Sequence, residues 1–110
     1  MALKAAFIML APDGDPLKHR ASVKTGKLEI TTVAVSLFDF DEAVDVCRNL
    51  VRDEGIQALF LCAYFSHEEV ARVARAVSEK VPVHAARSDV PGAMKMSAMY
   101  MTEGWFLGRD

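Results

Sequence analysis

Several side chains that could do chemistry follow one apolar segment of the chain. The segment 56–62 ends in Cys62 and leads through Tyr64 and Ser66 to His67, where a helical pattern begins. In open α/β sheets, ligands bind outside the carboxyl ends of the strands. We therefore expect a small-molecule site here, with Cys62 and Ser66 among the residues that contact the substrate.

His67 is the first candidate for a catalytic residue. It lies in the first turn of a predicted helix, where unpaired backbone N–H groups favour anions and disfavour a charged imidazolium. A neutral imidazole in that position could act as a general base near pH 7. The alternative is an exposed residue at a helix start that has no functional role.

Tyr64 and Cys62 complete this group. The Tyr64 hydroxyl could donate to a developing oxyanion, or the residue could lie at the rim of the site. Cys62 could be a nucleophile if the helix terminus and His67 stabilised its thiolate. A buried structural thiol is favoured for Cys62, because free cysteine is among the most buried residue types.

Charged side chains also follow the first and the last predicted strands. Asp13 comes after the first strand, and Arg87 and Asp89 come after the last. If the strands are parallel, these residues share a sheet edge with His67 and could supply an acid, a base and an anion anchor. Turn aspartates usually cap the backbone, however, and neighbouring Arg and Asp often pair on surfaces.

Three further candidates carry weaker signals. His19 and Arg20 lie in the long segment 11–27 and could reach over the site as a lid that contacts the substrate. His84 alternates inside the last predicted strand, so a core or sheet-face position is favoured over a role in the site.

Apolar patterns predict four strands, at residues 4–10, 28–36, 56–62 and 81–86. The first strand is a continuous apolar run of the kind that is buried on both faces. The segment between the first two strands is long and could conceal a short helix that Asp15 and Pro16 open and that runs through Arg20. Pro82 indicates an entry position or an edge for the last strand.

Two helices are predicted from their capping signals. Asp39, with Glu42 three residues on, starts the first helix, which ends at Gly55. Ser66 and Glu69 form the S-x-x-E pattern that starts the second. The second helix is expected to bury Val70, Val73, Ala74 and Val77.

Alternating strands and helices predict one α/β domain over residues 1–110. The expected architecture is a mainly parallel four-stranded sheet with flanking helices, open and Rossmann-like or flavodoxin-like. The relative direction of the first two strands stays open, because no obvious crossover helix joins them.

Residues 89–110 form an apolar C-terminal tail that contains four of the six methionines. Methionine is flexible and polarizable and suits adaptable ligand walls, so Met94 and Trp105 are candidate substrate contacts. The favoured alternative is a tail that packs across the sheet or into a neighbouring subunit. A homodimer or larger homo-oligomer is therefore expected.

Composition limits the classes of partner. The 110 residues include 52% hydrophobic and 25% charged residues, with a net charge of -2 and no Lys/Arg run. This is typical of a globular domain and argues against nucleic acid as the main partner. No apolar run approaches the roughly 20 residues that span a bilayer. With no signal-peptide pattern at the start, a cytoplasmic protein is expected.

The common cofactor and metal motifs are missing from the sequence. Cys47 and Cys62 have no CxxC or Cys/His spacing around them, so neither a disulfide framework nor a zinc site is indicated. There is no GxxxxGK[ST], GxGxxG after a strand, HExxH or GxSxG pattern. A pocket that works without cofactor or metal is the expectation.

The chain resembles a family of small bacterial α/β proteins of unknown function. The resemblance covers residues 4–88 and rests on the segments 4–8, 11–12, 15–20, 54–58 and 61–62. Family members usually carry Cys-Gly-Gly-Phe-Gly where this chain has residues 62–66, and their C-terminal tail differs from this one. The resemblance implies the fold and a bacterial origin, and it implies no activity.

Two classes of function follow from these residues. The first is a cofactor-independent isomerase, cyclase, lyase or hydrolase of secondary metabolism that acts on a small apolar or polyketide-like carbonyl compound. In it, His67 shuttles a proton while Tyr64 or Arg87 polarises the carbonyl oxygen. The second, placed narrowly behind the enzyme, is a non-catalytic binding or accessory protein that uses the same pocket.

Overall fold

The computed structural model describes residues 1–106, which form five strands and three helices. In chain order they are β1 (Leu3–Ala11), β2 (Arg20–Lys24), β3 (Leu28–Ser36), α1 (Phe40–Glu54), β4 (Ala58–Leu61), α2 (His67–Ala76), β5 (Val83–Ala85) and α3 (Val90–Thr102). The α/β class predicted from the alternation is confirmed.

The sheet has five strands in the order β2-β3-β1-β4-β5, so the prediction of four strands was wrong. All neighbouring strands are parallel except β2 and β3, which are antiparallel. The extra strand, β2, lies in the segment expected to be a loop. Its Ser22 hydroxyl hydrogen-bonds the Thr31 hydroxyl of β3 at 2.8 Å. Its alternation of Ala21 and Val23 with polar residues covers only five residues, which is too short a signal to separate it from the polar segment around it.

The predicted short helix opened by Asp15 and Pro16 is absent; the segment forms a hydrogen-bonded turn. The backbone N–H groups of Lys18 and His19 both donate to the carbonyl of Asp15, at 3.0 and 2.8 Å. The chain then enters β2 at the sheet edge and returns as β3 between β2 and β1. Strands β1 and β3 are consequently parallel without a crossover helix between them.

Both α1 and α2 pack on the same face of the sheet. Along β1, Ala6 and Ile8 are completely buried under these helices, whereas Met9 on the other face is 39% exposed. On that second face Ala5 is 1% exposed, so the prediction that this strand is buried on both faces holds at Ala5 and fails at Met9. An apolar run is equally compatible with one covered face, and the second face of this sheet has no helical layer over it in the described chain.

The helix starts lie where the capping signals predicted them. Asp39 Oδ1 accepts from the Glu42 N–H at 3.1 Å, and Gly55 ends α1 in the left-handed region with φ of 71°. At α2, Ser66 and Glu69 make both reciprocal bonds of the capping box. Val73 is buried and Val70 is half-buried within α2, and Val77, which caps its C-terminus, is also half-buried, but Ala74 is exposed and not buried as predicted.

Strand β5 is shorter than the segment predicted for it and forms the edge beside β4. Pro82 immediately precedes it, and the Pro82 carbonyl accepts from the Leu59 N–H at 3.0 Å. The edge position indicated by this proline is confirmed, because a residue without an N–H is tolerated there.

The segment predicted only as an apolar tail contains helix α3. Asp89 caps it, with Oδ1 accepting from the Gly92 N–H at 2.6 Å, and Pro91 lies in its first turn. The last four residues of the predicted tail, 107–110, are outside the described part. Among the described helices, none is long and apolar enough to cross a membrane.

Candidate functional site

The loop after β4 positions the predicted site residues. The Cys62 N–H continues the pairing with β1 by donating to the Ile8 carbonyl at 3.0 Å. Phe65 then turns inward, is only 1% exposed, and packs edge-on against Phe40 of α1 with ring centroids 6.0 Å apart. This anchor fixes the residues on either side of it, so Tyr64 and the start of α2 have defined positions.

Helix α3 meets this loop through aromatic rings. The Tyr64 ring lies 5.8 Å from the Tyr100 ring in an edge-on arrangement, and 6.3 Å from Phe106. Tyr100 also packs against Trp105 at 4.4 Å. Such pairs add about 0.5–1.5 kcal/mol each beyond the apolar area they bury. The contacts attach α3 to the carboxyl edge of the sheet.

A cavity of about 300 Å³ lies between the loop and α3, and we call it the aromatic groove. It is lined by Ala63, Tyr64, Ser88, Ala93, Met96, Ser97, Tyr100 and Phe106. Aromatic and methionine side chains form its walls, and serine and tyrosine hydroxyls supply hydrogen bonds. None of these eight residues carries a carboxylate, an imidazole, an amine, a guanidinium or a thiol. The lining suits a planar apolar molecule with an oxygen acceptor.

His67 and Arg87 meet beside the groove. Arg87 Nη1 donates to the Phe65 carbonyl at 2.8 Å, and Arg87 Nη2 lies 3.4 Å from His67 Nδ1. Because a guanidinium can only donate, this contact requires Nδ1 to accept, which puts the proton of a neutral ring on Nε2. In that tautomer the exposed His67 ring offers a hydrogen-bond donor at Nε2.

The structure does not bring Asp13 to this pair. Asp13 is exposed in the turn after β1, and a Cβ on the next residue, Gly14, would lie 2.3 Å from the Val35 carbonyl oxygen. The turn therefore packs against β3. Strands β3 and β5 are three strand spacings apart, about 14 Å in total. Arg87 follows directly after β5, so Asp13 is far from it.

His19 and Arg20 lie at the opposite edge of the sheet. His19 Nδ1 accepts from the Asp15 N–H at 3.0 Å, and Arg20 pairs with Glu54 at the end of α1 at 2.6 Å. Strand β2 is four spacings, about 19 Å, from β5. These contacts hold the two residues away from the aromatic groove, where a lid would have to lie.

The remaining predicted contacts do not line the groove. Cys62 is half-buried at the end of β4, and the Ser66 hydroxyl is engaged in the cap of α2. Asp89 caps α3. Met94 lies on α3 and is 69% exposed, while the Trp105 ring packs against the Tyr100 ring.

The sequence reasoning missed the residues that α3 contributes to the groove. Ala93, Met96, Ser97 and Tyr100 follow the i, i+3, i+4, i+7 spacing of one helical face. Asp89 followed by Pro91 is also a helix-start signal. These signals were present, but apolar residues on the other faces of α3 hide the period.

Clusters of three or more metal-ligating side chains are absent from residues 1–106.

The profile of a family of unknown function, DUF6506, matches residues 3–100. The chain belongs to DUF6506. Searches among curated proteins and among solved structures found no match. Membership of DUF6506 confirms the resemblance inferred over residues 4–88, and the match extends through β5 into α3. Most of α3 is therefore part of the DUF6506 domain.

Proposed function

We propose that this DUF6506 chain binds a small, planar, largely apolar carbonyl compound in the aromatic groove. The observation that carries the proposal is the lining itself. Tyr64, Tyr100 and Phe106 surround a cavity of about 300 Å³, and serine hydroxyls lie among them. This volume is at the lower end of the range for ligand sites, so a molecule of one or two rings is the expected size.

Binding is favoured over acid/base catalysis because of the groups that face the cavity. A general base must lie within hydrogen-bond reach of the proton that it takes. The lining residues offer hydroxyls, while His67 lies outside the lining with Nδ1 directed at Arg87. A non-catalytic binding or accessory role needs only the apolar walls and hydroxyl donors.

A second candidate function is supported by the contact between His67 and Arg87. The Nε2–H of His67 could donate to a carbonyl oxygen held at the mouth of the groove, with Arg87 holding the imidazole in that tautomer. Polarising a carbonyl acidifies the neighbouring C–H and promotes enolisation, with the proton passing to solvent water. This is the form of isomerase or lyase chemistry that these side chains support.

The binding proposal can be tested with 1-indanone, a planar bicyclic ketone, as the probe. At about 0.4 kcal/mol for each of its roughly ten non-hydrogen atoms, binding on the order of 1 mM is expected. Trp105 is the only tryptophan and its ring lies 4.4 Å from Tyr100, so its fluorescence should report occupancy.

Two matched variants make this titration specific. Ala63→Phe places a ring in the groove and should weaken binding at least tenfold. Ala74→Phe adds the same ring on the exposed side of α2 and should leave the affinity unchanged. Equal affinities of the two variants for 1-indanone would refute the assignment of this groove.

The enzymatic candidate has a separate readout. Exchange of the α-protons of 1-indanone in D₂O, followed by NMR, reports enolisation. If His67 polarises the carbonyl, His67→Ala should lower the catalysed rate by about 10²-fold while Glu68→Ala leaves it unchanged. Exchange no faster than in buffer would remove the catalytic candidate and leave the binding proposal standing.

A further inference from the structure

One face of the sheet carries no charged side chain. The strand registers place one set of side chains on the sheet face opposite α1 and α2. We call this face the open sheet face. It consists of Leu3, Ala5, Phe7, Met9, Ala11, Ala21, Val23, Leu28, Ile30, Thr32, Ala34, Ser36, Ala58, Phe60 and His84. The charged residues within the five strands, Lys4, Arg20, Lys24 and Glu29, all lie on the other face.

The larger side chains of this face are partly exposed in the single chain. Val23 is 65% exposed, Met9 39% and Phe60 37%, although the small Ala5 and Ala58 between them are buried at 1% and 6%. His84 does not make the face polar, because its ring stacks on Phe60 at 5.2 Å. A sheet face that remained in water would carry alternating polar residues, so this composition indicates a covered face.

Helix α3 also has an exposed apolar surface. Lys95 is the one charged residue in its sequence between Val90 and Thr102. The side next to the aromatic groove presents Val90, Met94 and Met101, each about 70% exposed, at helical spacing. A helix that is apolar on all sides is normally buried on all sides. Among the described residues, ring contacts join α3 to Tyr64, Trp105 and Phe106, all through Tyr100.

We propose that a second copy of this chain covers both surfaces. Helix α3 of each copy lies across the open sheet face of the other, which gives a reciprocal twofold dimer. The fit is self-complementary, because each copy supplies one largely apolar helix with a single charge, Lys95, and one uncharged sheet face. The 13 residues of α3 span about 20 Å, close to the roughly 19 Å width of five strands.

The exposed area of the chain is large enough for a stable interface with a second copy. The chain exposes 7142 Å², whereas a compact chain of 12.1 kDa exposes about 6,000 Å². The excess of roughly 1,100 Å² exceeds the about 800 Å² that each partner buries in a standard stable interface. The radius of gyration of 14.3 Å, against about 13 Å for a compact domain of this length, agrees with a protruding helix.

Light scattering of the full chain at 50 µM should give twice the chain mass of 12.1 kDa. Met9→Glu on the sheet face and Met94→Glu on α3 should each halve this mass and retain the circular dichroism spectrum, because both side chains are exposed in the single chain. Leu17→Glu, in an exposed turn outside both surfaces, is the control and should keep the doubled mass.

Cross-linking tests which surfaces meet. In a Cys62→Ala background, a chain with Met94→Cys and a differently tagged chain with Phe60→Cys are mixed and oxidised with copper phenanthroline. The proposal predicts a disulfide between the two kinds of chain. A disulfide only between two Phe60→Cys chains would indicate sheets packed face to face and would overturn the α3 arrangement.

Three other results would also overturn the proposal. One is a mass of 12.1 kDa at 200 µM. Another is an intrachain disulfide in a monomeric Met94→Cys, Phe60→Cys double variant, which would show that α3 folds onto its own sheet. The last is a monomer that co-sediments with phosphatidylcholine vesicles, which would identify a lipid surface as the occupant. The dimer proposal is independent of the groove proposal, since light scattering requires no ligand.

Discussion

Replacing Phe65 tests whether the loop after β4 is held by its buried ring. Phe65 is 1% exposed and packs edge-on against Phe40, while its own carbonyl accepts from Arg87. Phe65→Ala removes the ring and leaves a cavity between α1 and the sheet. Substitutions of this kind cost about 3–5 kcal/mol, and a fully buried aromatic with a ring partner belongs in that range.

That loss is a large part of the total stability of a domain of this length, which is about 5–15 kcal/mol. At roughly 4 °C per kcal/mol, a loss of 4 kcal/mol lowers the melting temperature by about 16 °C. Thermal unfolding followed by circular dichroism measures the shift directly. The core under α1 and α2 remains otherwise intact, so the variant should still fold at low temperature.

Leu17→Ala is the matched control, because Leu17 is an apolar residue that is 90% exposed. Its unfolding free energy should change by no more than about 0.5 kcal/mol. A melting temperature of Phe65→Ala within about 3 °C of the unaltered chain would refute the reasoning. It would mean that the loop is held by the Arg87 hydrogen bond and by α3, without the buried ring.

Two further predictions concern the cap of α2 and the two thiols. Ser66→Ala should cost about 1 kcal/mol in urea unfolding because the Glu69 N–H loses its acceptor, and Ser66→Thr should retain most of that stability. Burial raises the pKa of the Cys47 thiol from 9.0 to about 12. Cys62 should therefore react with a thiol reagent at pH 8 while Cys47 stays protected until unfolding. The Cys47 thiol loses its proton at a lower pH in the unfolded chain than in the folded one. Its contribution to stability is therefore complete below pH 9 and is lost as the pH rises toward 12. An unfolding free energy that stays unchanged from pH 8 to 11 would contradict this.

Helices α1 and α2 could be predicted from the sequence because their signals are local. The Asp39 cap, the Gly55 stop and the Ser66 capping box each involve residues within one turn of one another. The strands were harder to predict. Strand β2 pairs with an edge that β3 offers it, and its own signal is limited to two small or β-branched apolar residues, Ala21 and Val23, in five exposed positions.

The candidate site shows the same division between local and long-range information. Placing His67 at a helix start and a strand end needed only the residues around it. Its contact with Arg87 depends on β4 and β5 being neighbours, and the distance of Asp13 depends on β1 and β4 both lying between β3 and β5. Strand order is a property of the whole sheet, so spacing along the chain could not supply it.

The central claim is that the aromatic groove holds a small planar carbonyl compound, and NMR mapping tests it most directly. The ¹⁵N-labelled chain is titrated with 1-indanone to several millimolar, and the backbone amides are followed. The account predicts saturable shifts that cluster at Ala63, Tyr64, Ser97 and Tyr100 and at the Trp105 side chain. Shifts centred on Met9 and Phe60 of the open sheet face, or none at saturating probe, would contradict the claim.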